Sequence, residues 1–209
     1  MVRQRLRIRF CKQGDLRLIG HRDLMRCFER LFRRAGLPLG MSEGFHPKPR
    51  MTFPLALAVG IEGTDEVMEL ELAQSCTAEQ VHARLAEYLP TGLVLKAVEA
   101  LPTGTKKGRV TSVVYEVPIP PQCREGLPEM IDRLLAAESF PVQRSRGRSS
   151  IDLRASLEEL TLREDGLRMR LRIENQAGSK PQEVLAALGL EEQQLEGVHP
   201  TRTVVEIQS

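Results

Sequence analysis

Two histidines and an aspartate near the start of the chain have side chains that can do acid–base or metal chemistry. His21 and Asp23 lie two positions apart in the stretch GHRDL, and His46 follows in the stretch EGFHPKPR. An imidazole titrates near neutral pH and can act as a general acid or base. The spacing does not require the three side chains to converge, and an acid at Asp23 also suits a helix N-terminus. His21, Asp23 and His46 are therefore candidate catalytic residues, with a structural role as the alternative.

The first 50 residues are strongly basic, which favours a polyanionic partner. They hold 13 Lys and Arg against 4 Asp and Glu, a net charge of +9, whereas residues 51–209 hold 17 against 24, a net charge of −7. The sum is the net charge of +2 of the whole chain, and it conceals the local field of the basic part. The alternative is that the basic part neutralises an acidic surface of the second half or of a partner.

A predicted helix over HRDLMRCFERLFRRAG, residues 21–36, positions most of these arginines. Its apolar face comprises Leu24, Phe28, Leu31 and Ala35. The opposite face carries Arg22, Arg26, Arg30 and Arg33 within about 80° of one another at 100° per residue, and Arg34 follows. Arginine binds phosphate in bidentate fashion, so successive turns can contact successive phosphates. The alternative is a solvated face on which Glu29 pairs with Arg33.

The stretch EGFHPKPR predicts a rigid loop that presents its side chains. Pro47 and Pro49 fix their own φ angles and bias the residues before them away from helix. In such a loop Phe45 can stack on a base, and basic side chains can bind phosphates. The alternative is a turn with Phe45 in the core. The candidate nucleic-acid or partner-binding residues are Arg22, Arg26, Arg30, Arg33, Arg34, Phe45, His46, Lys48 and Arg50. The basic stretch RSRGRSS, residues 144–150, is either an RNA-contacting loop or a solvated one.

The order of predicted elements is β-α-β-β-α-β, and it occurs twice. In the first half the elements are QRLRIRFCKQG, the basic helix, RMTFPLALAVG, DEVMELELA, the helix TAEQVHARLAEYLP and GLVLKAVEAL. After the linker PTGTKKGR come TSVVYEVPIP, the helix GLPEMIDRLLAAE, the hairpin SIDLRASLEELTLRED–GLRMRLRIEN, the helix KPQEVLAALG and TRTVVEIQ. We predict an α+β fold of two tandem ferredoxin-like halves, residues 1–101 and 110–209.

Several classes of site have no motif in this chain. The nucleotide-binding patterns G-x-x-x-x-G-K-[ST] and G-x-G-x-x-G are absent, as are G-x-S-x-G, C-x-x-C and C-x-x-x-C-x-x-C. We therefore predict no metal site and no cofactor, including no iron–sulfur cluster. No apolar run approaches the length of a membrane span, and the basic N-terminus is unlike a signal peptide. The sequence predicts a cytoplasmic protein without membrane contact.

The stretch FCKQGDLRLIGHRDLMRCFERLFRRAGLPLGMSEGFHPKPRMTFPLALAVGIEG resembles the N-terminal signature of the radical-SAM-linked proteins, a bacterial domain family of unknown function. That signature reads F-x-K-x-G, S-H-L-D, R-R-A-x-L-P and S-x-G-F-x-P-x-P. The matching residues are Phe10, Lys12, Gly14, His21, Asp23, Arg33, Arg34, Ala35, Leu37, Pro38, Ser42, Gly44, Phe45, Pro47 and Pro49. Gly20 replaces the usual Ser and Arg22 the usual Leu, which leaves His21 and Asp23 in place.

The resemblance implies a partner rather than an activity. Family members occur as the C-terminal part of a radical SAM protein or are encoded beside one, and this chain is expected to be the free-standing version. Together with the basic surface, this gives the leading hypothesis of an accessory module without catalytic activity of its own, which binds RNA or recruits it to a radical SAM protein.

Two alternatives remain open at the level of sequence. Tandem ferredoxin-like halves with a basic groove are similar to the CRISPR repeat-processing endoribonucleases, in which case His21 or His46 would act as general acid or base without a metal. The other alternative is a protein–protein adaptor whose basic lobe docks on an acidic surface of the radical SAM protein and binds no RNA.

Overall fold

The computed structural model describes residues 4–144, 150–174, 178–190 and 195–209, and shows a mixed α+β protein with antiparallel strands and few helices. The chain divides into two compact units. The first comprises Met1–Arg109 together with Gln208–Ser209, and the second comprises Val110–Ile207. Among the described residues, no helix is both long and apolar enough to cross a lipid bilayer.

The described residues of the first unit form four strands and two α-helices. In chain order its elements are β1 (Gln4–Lys12), a 3-10 helix (Gly14–Leu18), α1 (His21–Arg34), β2 (Met51–Thr52), β3 (Glu62–Leu72), α2 (Ala78–Ala86) and β4 (Leu93–Leu101). The strands lie side by side in the order β4-β1-β3-β2, and each described pair is antiparallel.

Residue alternation in β1 determines the two faces of this sheet. Leu6, Ile8 and Phe10 are fully buried and belong to one apolar cluster with residues of α1 and α2. Successive side chains of a strand point to opposite faces. The intervening arginines of β1 therefore lie on the face away from the helices. The half-buried strand is as the sequence predicts, and the helix predicted over residues 21–36 is present over His21–Arg34.

The helix α2 has the N-terminal cap that the sequence predicts. The Gln80 N–H donates to Thr77 Oγ1 at 3.2 Å, and the Thr77 N–H donates to Gln80 Oε1 at 3.0 Å. Reciprocal bonds of this kind satisfy two backbone donors that have no partner inside the helix. Val81 and Leu85 are the buried residues of α2, and both belong to the apolar cluster of the first unit.

The second unit repeats the pattern with an inserted hairpin. Its elements are β5 (Arg109–Val117), a 3-10 helix (Pro121–Cys123), α3 (Leu127–Ala136), β6 (Pro141–Gln143), β7 (Ser150–Asp152), α4 (Leu153–Ser156), β8 (Leu157–Leu162), β9 (Leu167–Arg172), α5 (Pro181–Ala187) and β10 (Thr201–Gln208). Four strands lie in the order β10-β5-β9-β8, and β6 pairs with β7 separately.

The predicted hairpin of the second half is correct at its turn and wrong at its start. Gly166 has a φ of +154° and lies so close to β5 that a Cβ atom there would be 2.2 Å from the Val117 carbonyl oxygen. The predicted first strand SIDLRASLEELTLRED is divided into β7, one helical turn and β8. The Asp152 carboxylate explains the break, because it accepts from the Arg154 N–H at 2.9 Å and caps that turn.

The Asp152 carboxylate also joins the inserted hairpin to the preceding segment. It accepts from the Phe140 N–H at 2.8 Å and from the Ser139 hydroxyl at 2.7 Å. These hydrogen bonds, that of Phe140 first, lower the pKa of Asp152 from its ordinary value. Strand β6, which follows directly after Phe140, has no counterpart in the predicted elements.

Candidate nucleic-acid interface

The arginines of β1 are paired inside the first unit. Arg5 Nη2 lies 2.6 Å from Glu69 Oε2, and Arg7 Nη2 lies 2.8 Å from Glu69 Oε1. The Glu69 side chain is only 4% exposed. Arg9 pairs in the same way with Asp65 on the same strand, β3. These three arginines therefore pair with two carboxylates inside the protein.

The arginines of α1 have a different environment. The α1 basic face comprises Arg22, Arg26, Arg30, Arg33 and Arg34, all of them exposed. Among the described residues, the guanidinium groups of Arg22, Arg30, Arg33 and Arg34 make no hydrogen bond or ion pair. Arg33 therefore does not form the ion pair with Glu29 that a solvated face would allow. Arg26 lies 3.3 Å from Asp23, with side chains 68% and 62% exposed.

The packing of α1 explains this exposure. Leu24, Phe28, Leu31 and Phe32 are buried in the apolar cluster of the first unit. The Phe28 ring packs edge-on against the Phe10 ring of β1, with a centroid distance of 4.9 Å. Because one side of the helix is fixed against the sheet, the opposite side must face solvent. The α1 basic face is thus a solvated row of cations held on a rigid element.

The 42–50 loop, residues 42–50, is closed at its base by two hydrogen bonds. The Ser42 N–H donates to the Lys48 carbonyl at 2.8 Å, and the Lys48 N–H donates to Ser42 Oγ at 2.9 Å. Gly44 has a φ of +121°, a conformation that other residues rarely adopt. The Phe45 side chain at the tip is fully exposed, with a relative exposure of 102%. In the structure Phe45 therefore lies outside the core.

The three candidate catalytic residues occupy different surroundings. The half-buried His21 packs edge-on against the Phe53 ring at a centroid distance of 5.3 Å. Asp23 is exposed and pairs with Arg26, while His46 is exposed in the 42–50 loop. No described hydrogen bond or ring contact joins His46 to either of the others. Among the described residues, no group of three His, Cys, Asp or Glu side chains could hold a metal ion.

Arg50 and the α1 basic face lie on opposite sides of the first unit's sheet. Met51 of β2 pairs with Leu70 of β3, and both are buried in the apolar cluster under α1. The side chain one residue earlier must point to the other face. Accordingly, Arg50 Nη1 lies 3.6 Å from Glu71 Oε2, and Arg50 Nε donates to the Met41 carbonyl at 3.0 Å. Arg50 cannot contact a phosphate that lies on α1.

A cleft next to Arg50 contains residues that the sequence did not indicate. We call it the outer-face cleft. It has a volume of about 290 Å³ and is lined by Arg5, Ser42, Arg50, Thr52, Glu71 and Lys107 above the buried Glu69. The two adjacent lysines of PTGTKKGR are the sequence feature that could have indicated a binding residue at Lys107, but that stretch is predicted as a linker. The predicted RNA-contacting stretch RSRGRSS is not assigned a position here, because residues 145–149 lie outside the described residues.

Comparisons with known proteins add a family to this description. No curated protein matches the chain. Among solved structures, the acetolactate synthase small subunit from Thermotoga maritima is 10% identical, with 100% of this chain and 99% of that chain covered and a TM-score of 0.29. An unknown protein from Galdieria sulphuraria is 16% identical, with full coverage of both chains and a TM-score of 0.28. TM-scores this low indicate neither fold nor function. A family model described as "Uncharacterized protein conserved in bacteria (DUF2344)" matches residues 5–185, and the chain belongs to that family.

Proposed function

We propose that this chain is an accessory module that binds single-stranded RNA through the α1 basic face and the 42–50 loop. The observation that carries the proposal is the contrast between two sets of arginines. Those of β1 neutralise carboxylates of β3, whereas four of the five on α1 have no partner among the described residues. A row of exposed guanidinium groups on a rigid helix matches the repeated charges of a phosphate backbone.

The exposed Phe45 favours an unpaired strand over a duplex. An aromatic ring can stack on a base only if that base is not already enclosed in a helix. The Ser42–Lys48 hydrogen bonds and the two prolines hold the loop in shape before the RNA arrives. Less conformational entropy is then lost on binding than with a flexible loop. Phe45 supplies the contact to a base, and the α1 basic face supplies contacts to phosphates.

Two ferredoxin-like domains, residues 1–101 and 110–209, are the scaffold that we propose for this function. In both units the four main strands lie in the order fourth, first, third, second, counted along the chain. In both, a helix follows the first strand and another follows the third. This repetition supports the β-α-β-β-α-β interpretation, with the hairpin of β6 and β7 as an insertion.

A radical SAM protein is the proposed partner, and the resemblance of residues 10–63 to the radical-SAM-linked signature supports it. The association is tested with the radical SAM protein immobilised on an affinity column. The fraction of this chain that the column retains is measured before and after nuclease treatment. Retention that survives nuclease but is lost in the variant Arg26→Glu/Arg30→Glu would favour the adaptor alternative. The endoribonuclease alternative has less support, because no described contact brings His21 and His46 together.

The RNA-binding proposal is tested by filter binding of a uridine oligonucleotide at two salt concentrations. If about four phosphates are contacted, the logarithm of affinity falls with the logarithm of salt at a slope of about −2.8, so affinity drops about 50-fold between about 50 and 200 mM salt. Absence of binding, or binding that does not change with salt, would contradict the proposal. The titration is repeated with the radical SAM partner present, because recruitment predicts binding in the complex as well.

A further inference from the structure

The outer-face cleft has the charge of an anion site. Its floor is the buried Glu69, which both Arg5 and Arg7 contact, so this group of three carries a net charge of +1. Arg50 lies 3.6 Å from Glu71, which balances its charge. Lys107 is exposed and forms no ion pair with any described residue. Arg5, Arg50 and Lys107 therefore face the two carboxylates Glu69 and Glu71 in the lining of this cleft, a net charge of +1.

One further carboxylate lies at the edge of the cleft and weakens this excess only slightly. Glu43 Oε1 is 3.9 Å from Arg50 Nη2, but its side chain is 88% exposed. A carboxylate so strongly hydrated is screened by water and contributes little. With Glu43 screened in this way, the residues that line the cleft keep a net charge close to +1. The cleft therefore favours a small anion over a cation.

The cleft also offers hydrogen-bond donors at its open side. Ser42 Oγ accepts from the Lys48 N–H at 2.9 Å, which leaves the hydroxyl proton available to donate. Thr52 lies on the same face of the sheet as Arg50, two residues away, and is exposed. The Lys107 ammonium adds three donors. Hydroxyl and ammonium donors around a positively charged cleft suit the oxygens of a phosphate group.

The 42–50 loop connects this cleft to Phe45. Ser42 and Arg50, at the two ends of the loop, line the cleft, and Phe45 lies at its exposed tip. Three residues of chain span at most about 11 Å, so Phe45 and the cleft can contact the same short stretch of a strand. We infer that the outer-face cleft binds one phosphate group of the RNA strand whose base stacks on Phe45. This inference rests on the proposed function.

The matched lysines Lys106 and Lys107 provide the test. Both are exposed, and only Lys107 lines the cleft. The probe is a uridine oligonucleotide of about 12 nucleotides, bound to the full chain at several salt concentrations. We expect Lys107→Ala to make the salt slope less steep by about 0.7, the value of one phosphate contact on a single strand. Lys106→Ala should keep the wild-type slope. Thr52→Val should weaken affinity without changing the slope, because it removes a neutral donor.

The outcomes separate this inference from the proposed function. If the wild type binds RNA but the two lysine variants have equal slopes, the cleft inference is overturned while RNA binding through α1 stands. If the wild type binds no RNA, both are overturned. A polyglutamate peptide of equal charge is added as a competitor. If it displaces the oligonucleotide from wild type and from Lys107→Ala equally well, the cleft has no preference for phosphate and the inference is overturned.

Discussion

At the scale of single residues, Phe45 is the clearest departure from ordinary packing. Full burial of a phenylalanine side chain contributes about 1.5–3 kcal/mol, which this protein forgoes at the tip of the 42–50 loop. The loop is nevertheless closed by the hydrogen bonds between Ser42 and Lys48, so the exposure is built into its conformation. An aromatic side chain held in solvent in this way suits contact with a ligand.

Replacement of Phe45 separates stacking from charge. Stacking of one base on an aromatic side chain contributes about 1–3 kcal/mol, so Phe45→Ala should reduce the affinity for a uridine oligonucleotide by about 5- to 140-fold. Phe45→Trp, which keeps an aromatic face, should retain the affinity. The measurement is a fluorescence anisotropy titration with a single strand and with a duplex of equal length. Equal losses of affinity for the two ligands would show that Phe45 does not stack on an unpaired base.

At the scale of elements, β1 and α1 are both rich in arginine, and their neighbours decide what the arginines do. Arg7 is directly opposite Glu69 in the register of β1 and β3. The alternation of β1 and the helical period of α1 are local patterns, and both elements could be predicted from them. Which carboxylates pair with the β1 arginines depends on strand register over more than 50 residues of sequence, and no local pattern contains that information.

The pairing of Glu69 with two arginines predicts a large effect on stability. Removal of one partner of a buried ion pair leaves an uncompensated charge, and because Arg5 and Arg7 are partly exposed we expect the lower end of the usual cost, about 3 kcal/mol for Glu69→Ala. Asp23→Ala breaks an exposed pair and should change the free energy of unfolding by less than about 1 kcal/mol. Urea denaturation of both variants measures this difference. Equal free energies of unfolding would mean that the β1 pairs do not stabilise the unit.

The start of the second-half hairpin is predicted wrongly, and the reason also lies at the scale of elements. Apolar and polar residues alternate through Ile151–Glu158, which favours one continuous strand over the start of the hairpin. The Asp152 carboxylate instead caps a helical turn and accepts hydrogen bonds from Ser139 and Phe140, which interrupts the strand. An aspartate can cap or lie at a strand end with similar ease. Whether Asp152 caps a turn or lies in a strand depends on donors that are 12 or more residues away in sequence. Alternation alone therefore predicts the wrong element here.

At the scale of the whole molecule, the charged side chains form two groups, those paired on the sheet faces and those exposed on α1. The second unit also carries a strand of alternating arginines, and Arg168, Arg170 and Arg172 of β9 all pair with glutamates. The Arg170 guanidinium, followed by the Ser112 hydroxyl, holds the pKa of the Glu206 carboxyl below its ordinary value. The arginines of both sheet faces are therefore paired with carboxylates of their own unit. The α1 basic face is not paired in this way and is available to a partner.

The candidate site is only partly predictable for the same reason. The sequence indicated the α1 arginines and the exposed loop, because periodicity and proline content are local. It could not show that Arg50 lies across the sheet from α1, since that depends on how Met51 pairs with Leu70. Lys107 was missed because a lysine in a glycine-rich stretch has the appearance of a linker until its neighbours in the fold are known.

The central claim is that the α1 basic face contacts RNA phosphates, and charge reversal on that face tests it most directly. Arg30→Glu and Arg33→Glu are compared with Arg133→Glu, an exposed arginine on α3 in the second unit. In titrations with the same uridine oligonucleotide, each α1 variant should bind more weakly than wild type and make the salt slope less steep by about 0.7 or more. Arg133→Glu should match wild type. If all three variants lose affinity equally, or none does, RNA is not bound by the α1 basic face.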